Sequence, residues 1–149
     1  MTEPATGPEL ARHVVAPQVV SGRGTVTVSV GAAAVGAGLV HAAAVGPHAG
    51  HGAMPALFAT AAVVGVVAGV TAIVRPTRAV LVAVASIHLL MIATWVASRT
   101  TGVSVVNGLE TREAAGYPDR VATSFEACVV AGSLALGRRP RPSRLPATA

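Results

Sequence analysis

Four long apolar runs constrain this chain more strongly than any other feature of its sequence. They lie near residues 24–45, 53–74, 79–98 and 119–136, and the first three contain no acidic residue, lysine or arginine. A helix rises about 1.5 Å per residue, so roughly 20 residues are enough to cross the hydrocarbon core of a bilayer. The runs therefore predict an all-α, polytopic membrane protein with four transmembrane helices in an up-down bundle.

The composition excludes an ordinary soluble domain. Hydrophobic residues make up 52% of the 149 residues and charged residues only 11%, whereas an average globular protein has roughly 25% charged residues. The eleven basic side chains are all arginines, and they cluster at the ends of the apolar runs rather than on a face with interleaved aromatic residues. We therefore expect the lipid bilayer as a partner and no nucleic acid.

The arginines also predict how the chain crosses the membrane. If the N-terminus is cytoplasmic, eight arginines lie in inner segments and three in outer segments. Because basic residues are enriched in cytoplasmic segments, we predict cytoplasmic N- and C-termini in a multi-pass protein of the cell membrane. Residues 1–23 then form a disordered tail, residues 24–137 the transmembrane domain and residues 138–149 a basic tail. A cleaved signal peptide is the alternative for the N-terminal segment.

Small residues in the first two runs predict close helix packing. Ala32, Gly36 and Val40 recur at four-residue spacing in the first run, with Gly38 nearby, and Gly65 and Gly69 form a G-x-x-x-G pair in the second. Such spacing lets helix backbones approach closely in lipid. The alternative is that alanine and glycine are simply frequent in this chain.

Three of the five histidines lie within eleven residues, where the first apolar run ends and the second begins. They are His41, His48 and His51, and the pair Gly46-Pro47 ends the first helix between them. His48 and His51 are spaced to share one helical turn, and His41 can reach them from the end of the first helix. The alternative is that the loop histidines are solvated at the membrane surface.

Two carboxylates of the fourth run complete a candidate metal site. Asp119 and Glu126 are seven residues apart, so they share one helical face, with Thr123 between them. Imidazole nitrogens and carboxylate oxygens suit a first-row transition metal. We therefore predict a site for a transition metal ion such as copper or zinc, or for haem, formed by His41, His48, His51, Asp119 and Glu126.

The metal hypothesis makes a geometric prediction. A side-chain nitrogen of His41 and one of either His48 or His51 should lie within about 5 Å of a carboxylate oxygen, because these atoms would share one ion. A proton relay, or a site for a small polar ligand, is the alternative use of the same residues.

Other ionisable residues fall inside the apolar runs, where their cost makes each a functional candidate. His88 lies near the middle of the third run, and its alternative is a buried histidine with satisfied hydrogen bonds. For Glu126 the alternatives are an ion pair with Arg99 or Arg120, or a neutral, hydrogen-bonded carboxyl group. The single cysteine, Cys128, is expected to serve only in packing.

The polar residues form a pattern with three parts: His41 followed by Pro47-His48; Trp95-Val-Ala-Ser98-Arg99-Thr100-Thr-Gly102; and Asp119-x-x-Ala122-Thr123-x-x-Glu126. Over roughly residues 41–136 this resembles a family of small four-helix integral membrane proteins from GC-rich bacteria, whose function is undetermined. The resemblance implies the four-helix fold and these polar positions. Where that family carries Pro-Glu-His and an acidic residue three positions on, this chain has Pro47-His48 and places His51 at the acidic position.

Two classes of function follow from these observations. The histidine and carboxylate cluster favours a metal- or haem-binding membrane protein. The small-residue stripes favour a non-catalytic accessory subunit that packs against a larger membrane complex or forms a homo-oligomer. The sequence contains no phosphate-binding P-loop, no G-x-S-x-G nucleophile motif and no C-x-x-C pair. It leaves open whether the protein catalyses a reaction.

Overall fold

The structure, a computed structural model, describes residues 22–138. Most of the two predicted tails, residues 1–23 and 138–149, therefore lies outside the described residues. At the boundaries, Gly22 and Arg23 already belong to the first helix, and Arg138 is the last residue of the fourth.

Over residues 22–138 the chain is all-helical and contains no strand. The four helices are α1 (Gly22–Ala44), α2 (Met54–Val74), α3 (Arg78–Thr100) and α4 (Tyr117–Arg138). Each is long and apolar enough to cross a membrane. These findings confirm the all-α prediction and are consistent with an integral membrane protein.

Local chemistry explains where the helices begin and end. Pro55 occupies the first turn of α2, where its missing N–H costs no hydrogen bond. Thr77 caps α3, because its hydroxyl accepts a hydrogen bond from the Val80 N–H at 3.2 Å. The polar end of α3 stays helical beyond the expected limit, and the Thr101 N–H donates to the Ala97 carbonyl at 3.0 Å.

Glycines bring α1 and α2 together as an antiparallel pair. A methyl group at Gly69 would lie 2.6 Å from the Gly31 carbonyl oxygen, and one at Gly65 would lie 3.1 Å from the Gly38 Cα atom. This confirms the packing face predicted from the G-x-x-x-G pair of α2.

The α1 residues that contact α2 coincide only in part with the predicted stripe. Ala32 is exposed, and Gly36 packs against the Phe125 ring of α4 rather than against α2. Gly31 and Gly38, which are seven residues apart and so share a helical face, make the contact with α2. Because small residues occur on every side of α1, their spacing alone did not identify the face.

The bundle has two differently filled halves. α1 packs against α2 and α4, and α3 packs against α4, whereas α2 and α3 make the least contact of these neighbours. One half, which we call the packed half, holds the hydrophobic core and comprises the N-terminal parts of α1 and α3 with the C-terminal parts of α2 and α4. Its buried residues include Val30, Ala34, Ala72, Leu81, Val129 and Leu136. The opposite half, the cavity half, carries the site described below.

The segment between α3 and α4 covers the end of the cavity half. Within this segment Leu109 is buried, with only 3% of its surface exposed. The Ala53 N–H at the start of α2 donates to the Asn107 carbonyl at 2.9 Å. Gly108 has a φ of +99°, and a side chain there would collide with the His51 carbonyl. The loop is thereby held against the N-terminus of α2.

Candidate functional site

His41 and Glu126 form a buried pair that joins α1 to α4. The Nε2 atom of His41 lies 2.9 Å from the Oε1 atom of Glu126. The side chain of Glu126 is only 2% exposed and that of His41 is 15% exposed. This distance is within the expected 5 Å, so the predicted approach of His41 to a carboxylate is observed.

The loop histidines do not join this pair. His48 donates from its Nδ1 atom to the Ala44 carbonyl at 2.8 Å, a free acceptor at the C-terminal end of α1. Its ring packs against Phe58, with 4.6 Å between ring centroids. His51 is exposed, and its ring centroid lies 5.9 Å from that of His48. A local bond thus holds His48 at its own helix end.

Asp119 has a different partner from Glu126. The Nη2 atom of Arg99 donates to Oδ2 of Asp119 at 2.9 Å, and the Nη1 atom donates to the Ser98 hydroxyl at 3.0 Å. The alternative in which Glu126 pairs with Arg99 was therefore wrong. It was also wrong for Arg120, whose Nη2 atom lies 3.4 Å from the Ala115 carbonyl.

The five predicted metal ligands consequently divide among separate contacts. His41 binds Glu126, Asp119 binds Arg99, His48 is half-buried against Phe58, and His51 is exposed. Among residues 22–138 no group of three or more His, Cys, Asp or Glu side chains is placed to hold a metal ion.

His88 is buried, but it lacks the hydrogen bonds that are expected of a buried structural histidine. It is 0% exposed, and neither ring nitrogen has a hydrogen-bond partner in the described part of the chain. The buried Ser133 hydroxyl on α4 likewise has no partner within residues 22–138. Cys128, expected to be buried packing, is exposed.

A cavity of about 340 Å³ lies beside the His41–Glu126 pair, between all four helices. Most of its lining is apolar and includes Leu57, Phe58, Val64, Ile87 and Met91. The polar side chains of the wall are His41, Thr60, Thr94, Trp95, Ser98, Arg99, Asp119, Thr123 and Glu126. The predicted polar positions Arg99 and Thr123 thus face the same space as the buried pair.

The cavity reaches the surface of the bundle between α2 and α3. Leu90 of α3 lines the cavity and is nevertheless 68% exposed. Thr60 of α2 also lines it and is exposed. At the end of the bundle, the buried side chains of Met54 and Leu109 form part of the wall. Access is therefore lateral, through the helix pair that makes the least contact.

Two residues that line the cavity, Trp95 and Arg99, each contain a buried donor atom. The Trp95 Nε1 and Arg99 Nε atoms are buried and have no acceptor among the described residues. The guanidinium carbon of Arg99 lies 6.0 Å from the centre of the Trp95 ring. Their four-residue spacing in the sequence places them on one helical face.

No protein-family model matches this chain, and no curated protein or solved structure is significantly similar to it. The family resemblance of the polar motifs stays a prediction, and the site is interpreted from its own geometry.

Proposed function

We propose that this protein spans the cell membrane four times and binds a lipophilic small molecule, which enters its cavity from the bilayer between α2 and α3. The observation that carries this proposal is the cavity of about 340 Å³, mostly apolar, with a lateral opening and several polar side chains in its wall. Ligand sites in proteins are typically cavities of about 300–1,000 Å³ with a mainly apolar lining and a few placed polar groups.

The lateral opening supports a ligand from the lipid phase. The exposed surfaces on either side of it are apolar and include Val63 and Val67 on α2 and Leu89 and Leu90 on α3. If these helices lie in the bilayer, a molecule dissolved in lipid reaches the cavity without crossing water. An aqueous solute would have to cross either the lipid or the loop that contains Leu109.

The arginine distribution supports a defined orientation of the protein in the membrane. With both termini in the cytoplasm, the cavity half lies in the outer leaflet. A reporter active only outside the cytoplasm, fused at Gly108, should then be active, whereas the same reporter after Ala149 should be silent. Activity after Ala149, or silence at Gly108, would contradict this orientation.

The chain contains a single tryptophan, and it lines the cavity, so its fluorescence can report binding. Titration of the detergent-solubilised protein with a dibrominated long-chain alcohol should quench Trp95 in a saturable manner. Val64→Phe should strongly reduce this quenching because the larger side chain occupies the cavity. Val63→Phe is the matched control, since Val63 is the adjacent residue, is 64% exposed and does not line the cavity.

Two outcomes of this titration would reject cavity binding. One is equal quenching in the Val64→Phe and Val63→Phe proteins. The other is quenching that rises without saturation in the unmodified protein, as expected for partition into the micelle.

We do not assign a metal or haem to this site, because only His41 and Glu126 of the predicted ligands meet. An accessory subunit is the second candidate. It is favoured by the exposed ridge of valines along α2, Val63, Val67, Val70 and Val74, which another helix could cover. A mass measurement in lipid nanodiscs distinguishes the candidates, since a stoichiometric partner or second copy supports the accessory role.

A further inference from the structure

The Glu126 carboxylate has one oxygen that its bond to His41 does not use. Oε1 lies 2.9 Å from the His41 Nε2 atom, and Oε2 has no hydrogen-bond partner among residues 22–138. Oε2 nevertheless differs from the buried donors of Trp95 and Arg99, because it is not among the atoms that lack both a partner and accessible surface. Glu126 is only 2% exposed and lines the cavity. The surface that Oε2 keeps therefore lies in the cavity.

This free oxygen is a hydrogen-bond acceptor. The proton of the His41–Glu126 bond lies between Nε2 and Oε1, so Oε2 keeps its lone pairs whether that proton is on the imidazole or on Oε1. Buried acceptors in proteins are normally paired with a donor. A ligand with a hydroxyl group can supply this donor, whereas a ligand whose only oxygens are those of an ether or an ester cannot.

The same face of α4 carries other acceptors that line the cavity. Asp119 accepts from Arg99 and from the Gly116 N–H through Oδ2 alone, so its Oδ1 atom has no partner within residues 22–138. Thr123 adds a hydroxyl group, which can donate as well as accept. The side chain of Asp119 is 25% exposed, so water can reach it, whereas Glu126 lies about 10 Å further along the helix. Glu126 is therefore the acceptor that most needs a donor from the ligand.

Both carboxylates of the wall already have a basic partner. Arg99 lies 2.9 Å from Asp119, and His41 lies 2.9 Å from Glu126. An ammonium group on a ligand could donate to Oε2, but it would add a charge that no further acid balances. Burying such a charge in a mainly apolar space is strongly unfavourable. A hydroxyl group supplies the donor without the charge.

We propose that the ligand is an uncharged long-chain alcohol, whose hydroxyl group donates to Glu126 Oε2 and whose hydrocarbon chain leaves through the opening between α2 and α3. This inference rests on the proposed function, because it names the chemical class of the molecule that occupies the same cavity. Val64, Ile87 and Met91 provide an apolar surface for the hydrocarbon chain.

An alcohol and its methyl ether isolate the donor, because each contains one acceptor oxygen and only the alcohol has an O–H group. Binding of radiolabelled 1-hexadecanol and 1-methoxyhexadecane to the full-length protein in detergent is measured, with hexadecylammonium as the cationic ligand. The ratio of alcohol affinity to ether affinity is compared among variants, because partition of each ligand into the micelle is the same for all of them. We expect the ammonium ligand to bind more weakly than the alcohol.

Glu126→Gln tests the named acceptor. The glutamine oxygen can accept from His41, which places the amide NH2 group where Oε2 was, and this group donates to an alcohol and to an ether alike. The ratio of alcohol affinity to ether affinity should therefore fall about tenfold, as the loss of one hydrogen bond allows. Asp119→Asn tests the competing acceptor of the same face. Glu113→Gln makes the same chemical change in an acid that does not line the cavity, and it should keep the ratio of the unmodified protein.

Infrared difference spectra of the unmodified protein give a test that needs no variant. Donation from 1-hexadecanol to Glu126 should shift a carboxyl band, whereas 1-methoxyhexadecane should leave the band in place. Identical difference spectra for the two ligands would contradict the proposed hydrogen bond.

The outcomes separate the two proposals. A ratio that falls in Glu126→Gln and is kept in Glu113→Gln supports the inference. Saturable binding with an unchanged ratio in Glu126→Gln, a ratio that falls only in Asp119→Asn, or tighter binding of the ammonium ligand than of the alcohol overturns it and leaves the lipophilic cavity in place. Absence of saturable binding for every ligand overturns the proposed function and this inference together.

Discussion

The packed half and the cavity half use the same four helices but fill the space between them differently. In the packed half, Gly31 and Gly69 let two backbones touch, and residues such as Ala34 and Val129 are fully buried. In the cavity half, α2 and α3 lie apart, and the remaining space is bounded by the polar pairs and by Phe58 and Trp95. Close backbone contact on one side of a bundle therefore coexists with an open site on the other.

The two halves therefore differ in the substitutions that they tolerate. Where backbones touch, there is no room for an added methyl group, and the obstacle is a carbonyl that cannot rotate away. Where a cavity of about 340 Å³ remains, an added side chain has space. Where two ionisable groups are buried together, removal of one leaves the other buried without a partner, which destabilises the fold. These three situations give three predictions for variants, from the largest expected effect to the smallest.

Gly69→Leu should have the largest effect. A Cβ atom at this position lies 2.6 Å from the Gly31 carbonyl oxygen, so α1 and α2 must separate. We expect a loss of at least about 3 kcal/mol of stability, at the upper end of overpacking costs because the obstacle is backbone. Thermal unfolding in detergent, followed by circular dichroism, measures it.

Gly137→Ala is the control for this variant. Gly137 is also helical, but a Cβ atom there meets no atom within 4 Å. Its unfolding temperature should stay the same or rise slightly, because alanine favours the helix. Equal losses in the two variants would show that close backbone contact does not hold the packed half together.

His41→Leu should have the second largest effect. It leaves Glu126 buried without its partner, and breaking a buried pair from one side costs about 3 kcal/mol. Replacing Glu126 with leucine as well should recover most of this loss, since removing both buried polar partners is often nearly neutral. A double-mutant cycle of unfolding free energies gives the coupling energy directly.

A coupling energy close to zero would show that the His41–Glu126 pair does not stabilise the packing of α1 against α4. The more exposed Arg99–Asp119 pair offers a comparison, with side-chain exposures of 15% and 25%. Asp119→Asn should cost only about 1 kcal/mol because water screens the remaining charge.

Ala61→Leu should have the smallest effect. Ala61 lines the cavity, so the larger side chain enters open space, and we expect a change of less than about 0.5 kcal/mol in either direction. The same change at Ala72, which is on the same helix in the packed half and is 0% exposed, should cost about 2–3 kcal/mol. Similar unfolding temperatures for the two variants would contradict the division of the bundle into two halves.

Part of the site could be predicted from the sequence. The apolar runs indicated all four helices, and His41 and Glu126, predicted as members of one site, lie 2.9 Å apart in the structure. The partner of Arg99 could not be derived in this way. Asp119 and Glu126 share a helical face, so the sequence allowed either acid, and the structure pairs Arg99 with Asp119.

His48 does not join the predicted ligand cluster, and the reason is local. His48 lies four residues after Ala44, within reach of a carbonyl at the end of α1, and it takes that bond. The spacing of histidines indicated a cluster, but a free carbonyl at a helix end competes for the same ring nitrogen. This competitor was visible in the sequence as the Gly46-Pro47 helix stop.

The sequence by itself determined the four helices and their fitness for lipid, because hydropathy and helix length belong to each segment separately. It also determined which residues are ionisable within those segments. Only the tertiary structure decided that Gly31 rather than Gly36 meets α2, that Glu126 faces His41, and that α2 and α3 leave a cavity open between them. These features depend on the rotation and separation of helices, and those follow from the packing of all four helices together.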